Sequence, residues 1–445
     1  MFDSVNEPSF RLDVAGLPEP FEVLAFTGSE GISEPFAFDI DVMIEDPHLD
    51  LAGLLHRCAF LQFGPLANGL NGQLQSVVQH EHGEGLRLCR VTLGPKLSCL
   101  ALRFSQRIFS GRSVPQILMQ VLKEHGIVGS QCRFDLRVEY PARIFCTQYR
   151  ESDLQFFQRL CAQARIHYYF EHGRDGHCLV FGDEPEQLPK ADAASFDDHG
   201  ESPAVRRWQL QVGTRPGGQG SLAMHTAEGQ SDLPTLRSGQ WLSLHGHPFA
   251  ECNRHWLLRR IEHRADTAAE PPYSNRILGV AQMLAPAPVS VQARPRMHSL
   301  QRAWVVTVDE PRPDHSRPVA VQFDWLYQGE GAAASHCWLP LAPALTATAL
   351  ASLHEGVEVV VSFLEGDPDQ PVISGVLQEP ARVDDREDEL TLPDELPGAG
   401  FAQWLKSAEP MLLLCLIPGG GSYQHCPAAV CSCRLLVALD RSDAP

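Results

Sequence analysis

YRESDLQFFQRLCAQARIHYYF, residues 149–170, is the stretch on which the division of this chain turns. Asp153 stands where a carboxylate can accept from the orphan backbone N–H groups of a first helical turn. Leu154, Phe157, Leu160, Cys161 and Ala164 then recur at the spacing of one helix face. His167, Tyr168, Tyr169 and Phe170 follow at once, and bulky aromatic groups favour a pleated strand. The stretch predicts a helix that runs directly into a strand.

Working outward, residues 101–200 continue as mixed α and β. Ser113 before Val114-Pro115 predicts a helix start, with Ile117, Leu118, Val121 and Leu122 on one face and Gly126 ending it. Residues 133–138 predict a strand, and 168–170 with 178–181 a hairpin around the loop 172–176. Residues 1–100 predict a string of strands. Phe36, Phe38, Ile40 and Val42 alternate to one face, and Asp50 precedes a short helix, 51–55, that leads into a strand at 59–63. Residues 70–79 and 86–93 fit an antiparallel pair around the turn 82–85. A closed or nearly closed barrel hides the edges of so many strands.

Residues 201–285 return to β, with strands at 205–212, 242–244 and 256–262. GTRPGGQG, residues 213–220, is a glycine-rich loop without the Lys and Ser/Thr that a phosphate-binding loop needs. A Pro/Ala-rich linker spans 286–299. Residues 300–378 hold four to five short strands, including 302–309, 319–323, 358–363 and 372–376, which suggests a small OB-type barrel. Residues 379–395 contain eight acids and two arginines and form an acidic linker before a tail at 396–445. The fold expected is mainly β with an α+β insertion.

The chain has 445 residues, enough for roughly three domains. A formal charge of −19 argues against nucleic acid as the main partner, because that role needs a basic face. The 34 prolines and 35 glycines agree with a turn-rich β protein. The N-terminus is acidic and lacks an apolar signal core, and no apolar run is long enough to span a membrane. Of the 13 cysteines, nine are scattered among apolar residues and fit buried thiols in a reducing compartment.

No G-x-S-x-G elbow occurs, and no nucleophile–base pair can be named, so no enzyme activity and no cofactor are expected. His245, His247 and His255 lack metal-ligand spacing. Glu262 and His263 are adjacent on a strand and face opposite ways. Glu365, Asp367 and Asp369 alternate, but Pro368 and the lack of a distal bidentate acid favour a solvated turn over a Ca²⁺ loop. The tail concentrates Cys415, His425, Cys426, Cys431 and Cys433, a weak candidate zinc set that lacks the C-x₂-C pair. A disulfide, free thiols or a packed docking segment remain open for it. Leu405, Met411, Leu412, Leu413, Leu414, Leu416 and Ile417 would form a sticky patch if left bare, which predicts a partner-binding role.

The same elements resemble the VgrG-type spike proteins of type VI secretion, relatives of the phage tail hub and spike. SFRLDV (9–14) and residues 29–42 resemble the first barrel of that family. SVPQILMQVLKEHGI (113–127) and YRESDLQFFQRL (149–160) resemble its helical segment and signature. SGQWLSLHGHPFAECNRHWLLRRIEHRA (238–265) resembles its second barrel. VQFDW (321–325), CWLPLA (337–342) and VVVSFLEGDPDQPVISG (359–375) resemble its OB domain. Departures include Ala164-Arg165 after the signature helix, no tryptophan in 342–356, and no needle repeats after Gly375, so a needle-less or shortened copy is expected. The resemblance implies two hub-like barrels in a homotrimeric head, set as a pseudo-sixfold ring on a hexameric tube protein. It also implies an effector, adaptor or tip-cap protein at the C-terminal end. Such a protein would be cytoplasmic before firing and secreted through the apparatus without a signal peptide. A non-piercing loading or assembly component is the alternative; a scaffold-fused hydrolase effector is the other.

Overall fold

The computed structural model describes residues 10–64, 68–80, 86–200, 202–217, 220–281, 294–309, 312, 316–326, 336–345 and 353–377, with two strands at 411–415 and 421–425. Six strands open the chain: β1 (Phe10–Val14), β2 (Phe21–Gly31), β3 (Glu34–Ile44), β4 (Cys58–Phe63), β5 (Gly69–Gln79) and β6 (Arg87–Gly94). They pair in the order β1-β4-β5-β6-β3-β2, and β1 also pairs β2, so the ring closes. Alternation puts Phe36, Phe38, Ile40, Val42 and Ile44 inside, as the period-2 pattern predicted. Burying each such side chain stabilises the ring by about 1.5–3 kcal/mol. Gly28 is required by close approach: a Cβ there would stand 2.2 Å from the Phe38 ring. The turn predicted at 82–85 lies outside the described residues. The predicted helix at 51–55 is a single 3-10 turn, Ala52–Leu54, with the Ala52 N–H donating to Asp50 Oδ1 at 3.0 Å.

The middle of the chain adds β7 (Phe104–Phe109), α1 (Val114–Glu124), β8 (Cys132–Asp135), β9 (Cys146–Ser152), α2 (Asp153–Ala164), β10 (His167–Gly173) and β11 (Gly176–Gly182). Ser113 N–H donates to Gln116 Oε1 at 2.9 Å, closing the predicted start of α1. The β10–β11 hairpin is tighter than expected: Gly173 pairs Gly176, which leaves only Arg174 and Asp175 as its loop. On α2 the buried apolar face is Phe156, Phe157, Leu160 and Cys161. Leu154 and Ala164 are only half-buried, because the helix is turned by the partners of its first residue.

A second set follows: β12 (Ala194–Ser195), β13 (Val205–Gly217), β14 (Gly220–Ser231), β15 (Trp241–His245), β16 (His255–Asp266) and β17 (Tyr273–Val280). Its order is β13-β14-β17-β16-β15-β12, and a bridge between Phe196 and Val205 brings its two ends together. Of the predicted loop at 213–220, residues 213–217 and 220 are instead hairpin ladder, with Gly217 opposite Gly220. The two rings are one continuous sheet, since β2 pairs β1 at residues 21–22 and β16 along 25–31.

The last ring has β18 (Gln301–Val305), β19 (Val319–Phe323), β20 (Cys337–Leu339), β21 (Glu358–Phe363) and β22 (Pro371–Leu377). The order β20-β19-β18-β21-β22 closes through a bridge between Leu341 and Ile373, which is a five-stranded barrel of OB type. The predicted strand 302–309 ends at Val305. Residues 1–378 form one compact unit and 379–445 another. The second unit contains β23 (Met411–Cys415) paired antiparallel with β24 (Gly421–His425). The architecture is mainly β, with an α+β insertion between two hub-like rings and a small OB-type barrel after them.

Candidate functional site

The signature stretch builds a buried polar cluster centred on Asp153. Ser152, not Asp153, caps α2: the Gln155 N–H donates to Ser152 Oγ at 3.2 Å, and the Ser152 N–H donates to Gln155 Oε1 at 2.9 Å. Asp153 is fully buried and turned away from the backbone. Its carboxylate accepts from Arg103 Nε at 2.6 Å, Gln148 Nε2 at 2.8 Å and Arg107 Nη2 at 3.3 Å, and pairs with His125 Nε2 at 2.7 Å. Glu124 bridges the same two arginines from the end of α1. Burial alone would push the Asp153 carboxyl up; the His125, Gln148, Arg107 and Arg103 contacts outweigh it and hold it below the usual range. One carboxylate thus ties α1, α2, β7 and β9 together. No sequence spacing announces this, because its partners come from up to 50 residues away.

Further along α2, Arg159 grips Glu151 through Nε at 3.1 Å and Nη2 at 2.5 Å, and also donates to the Thr147 carbonyl at 2.9 Å. Both side chains are under a tenth exposed. Thr147 in turn meets the OB-type barrel: its N–H donates to Asp369 Oδ1 at 2.6 Å and its hydroxyl to the Pro368 carbonyl at 2.9 Å. Phe145 enters the apolar core of that barrel, and Tyr149 meets Trp325 edge-on. The expected solvated turn is therefore a joint. Glu365 is exposed there, Asp367 pairs with Arg294 at 3.1 Å, and Asp369 faces the head.

A second buried chain crosses the seam of the two rings. The Ser231 hydroxyl donates to Asn275 Oδ1 at 2.7 Å, and Asn275 Nδ2 donates to the Tyr273 oxygen at 3.1 Å. The Tyr273 hydroxyl donates to His263 Nδ1 at 2.7 Å, and His263 Nε2 donates to Glu30 Oε1 at 3.0 Å. This direction satisfies every member with a neutral imidazole. Burial lowers the His263 pKa, while Glu30 pulls it back up. Glu262, its neighbour, lies on the other face near Arg260, as strand alternation required. The chain is a rivet between rings, and a cleft of about 670 Å³ beside it is lined by His263 and Asn275 together with Asp39, Gln230 and Arg264 among others.

The remaining candidates do not converge. His247 packs against Phe196 at 4.4 Å between centroids, His255 Nδ1 meets Ser243 Oγ at 3.2 Å, and His245 is exposed. A cleft of about 530 Å³ lies between the first ring and the β10–β11 hairpin, lined by Asn71, Lys96, His172 and His177 among others. Burial holds both of those imidazoles neutral, so the cleft gains no cation from them. Among the described residues no three His, Cys, Asp or Glu are grouped to hold a metal. In the tail hairpin Cys415 pairs with Gly421 and Met411 with His425, which sets Cys415 and His425 at opposite ends. Four residue steps along the strand separate them, about 13 Å along the ladder. Leu405, Leu416, Ile417, Cys426, Cys431, Cys433 and the acidic linker lie outside the described residues.

Comparison with known proteins matches residues 29–221 to the phage tail baseplate hub family and residues 340–377 to a domain of unknown function, DUF6484. The chain is 34% identical over 96% of its length to the type VI secretion system spike protein VgrG4b of Pseudomonas aeruginosa, and 33% identical over 96% to VgrG5 of that organism. It spans 61% and 62% of those two proteins, about three fifths of their length. In fold it is similar to the E. coli c3393 protein, a component of the type VI secretion system, with a TM-score of 0.69, 23% identity, and coverage of 82% of this chain and 99% of that one. It is also similar to a Francisella PdpA–VgrG complex in its lidded form, with a TM-score of 0.57, 8% identity, and coverage of 93% and 75%. A head of two fused β units, an α+β insertion behind a buried signature helix and an OB-type barrel agree with that hub architecture, and over nearly its whole length this chain is homologous to VgrG spike proteins.

Proposed function

We propose that this chain is a structural tip component of a contractile secretion machine, acting as a homotrimeric adaptor between a hexameric tube and an effector, adaptor or tip-cap protein. Identity to a named spike protein over 96% of the chain carries the reading. A closed six-stranded ring and a second, half-barrel set of six strands per chain support it, because three chains would present six related β units to a sixfold tube. The polar clusters serve the same end: they fix the relation of rings, helices and OB-type barrel, and an adaptor needs rigid faces rather than a nucleophile. Light scattering at micromolar concentration should give three times the 49.2 kDa chain mass. A monomer throughout that range would sink the trimer, although assembly follows mass action and the partner tube protein shifts it.

No catalytic role is assigned to any residue. A Vibrio cholerae relative, the actin cross-linking toxin VgrG1, is 26% identical over 82% of this chain, which spans 41% of it. A loading component that never pierces would use the same head and differs only in whether it is found outside the cell after firing. The tail is proposed to hold the partner. β23 reads MLLLC and, among the described residues, pairs with β24 only, and a two-stranded ribbon is marginal alone in water. Deleting residues 396–445 should leave the melting of the head within about 2 °C and abolish co-purification of the cap or effector. Loss of head folding would make the tail core instead. One zinc per chain, lost when Cys431 and Cys433 become serine, would show that the weak metal candidate is a true site.

A further inference from the structure

We propose that the joint between the OB-type barrel and the head takes up a proton as it closes, so that it tightens in mild acid and relaxes as the pH rises. The joint rests on Asp369, which is partly buried against β9. Its carboxylate receives the Thr147 N–H at 2.6 Å, and among the described residues no cation lies within ion-pair distance of it. The guanidinium facing it from α2, Arg159, is already held by Glu151 and the Thr147 carbonyl. Arg143, before β9, donates to Gln163 and also faces the carboxylate, and Cys146 lies beside the joint on β9. On the barrel side Asp367 is paired with Arg294, and His298 packs under Gly366. Two carboxylates, Glu151 and Asp369, thus share the field of the engaged Arg159, to which the engaged Arg143 adds at Asp369, in a place that closure shields from water.

Closing the joint removes water from Asp369 without supplying an ion pair, which favours its neutral form. Burial raises the pKa of Asp369 and of Glu151, as that geometry requires. A carboxyl raised in the closed state binds its proton there before it does when open. Closure is therefore weakest above the raised value and strengthens as pH falls from it toward the ordinary carboxyl range near 3.9. A neutral Asp369 still accepts from the Thr147 N–H through its carbonyl oxygen, so the contact survives protonation.

Amide exchange at Thr147 in the full-length assembly, corrected for intrinsic rates, reads the joint directly. Protection should rise several-fold between pH 7.5 and 4 relative to the Leu70 amide in the first ring. Asp369→Asn should make that ratio flat, because its carboxamide is permanently neutral. Glu151→Gln should shallow the slope, because it frees Arg159 to pair with Asp369. A flat ratio in the unaltered protein, or an unchanged slope in both variants, overturns the proposal. The unaltered protein decides the matter alone if Asp369→Asn does not fold.

Discussion

Asp153→Ala should destabilise the head by roughly 3–5 kcal/mol, the range for breaking a buried ion pair from one side. The carboxylate is fully buried, and its loss strands Arg103, Arg107, His125 and Gln148 around a void. Glu124 can hold part of the two guanidinium groups, but only from the more exposed side. Asp153→Asn should fall between, since a carboxamide keeps the shape and loses the charge. Chemical denaturation of the purified chain, followed by fluorescence, checks both. A shift below about 1 kcal/mol for the alanine variant would mean that Asp153 is not the tie between the helices and β9.

Acid should unfold the head over a defined window. Burial drops the pKa of His167 to about 4, and burial with Lys96 nearby does the same for His177. Unfolded imidazole binds its proton near 6.5. Above that value neither state is protonated and the stability is complete. As pH falls from about 6.5 toward 4, the unfolded chain gains protons that the fold refuses, and stability drains away. For His167, only 1% exposed, the loss approaches roughly 3 kcal/mol, and His172 and His263 add to it in the same direction. His167 Nδ1 has no partner, so His167→Phe removes the titration without removing a hydrogen bond. The melting temperature should fall steeply from pH 7 to 4.5 in the unaltered protein and less steeply in that variant. Equal slopes would exclude His167 as a source. This trend opposes that of the Asp369 joint, so the two are separable in one pH series.

Strand and helix content was legible because each element carries its own period. β19 and β21 fall where alternation put them, at Val319–Phe323 and Glu358–Phe363, and α1 begins after Ser113 as its cap residue indicated. The hairpin ladder at 213–217 and 220 was not legible, since glycine and proline there signal a loop and only pairing with β14 overrides them. Asp153 was misplaced by one position for a related reason. Ser152 and Asp153 are both good cap residues, and the choice fell to Arg103, Arg107 and His125, which no local rule sees.

The sequence by itself determined the class of each segment and the order of rings, insertion and OB-type barrel, because period, caps and turns act over a few residues. Only the tertiary structure decided that β2 belongs to both rings, that Glu30 and His263 meet at 3.0 Å across 233 positions, and that an acidic turn is the joint of the OB-type barrel. These are pairings at long sequence separation. They are selected by burial and by the demand that every buried polar group find a partner, and both conditions exist only once the chain is closed on itself.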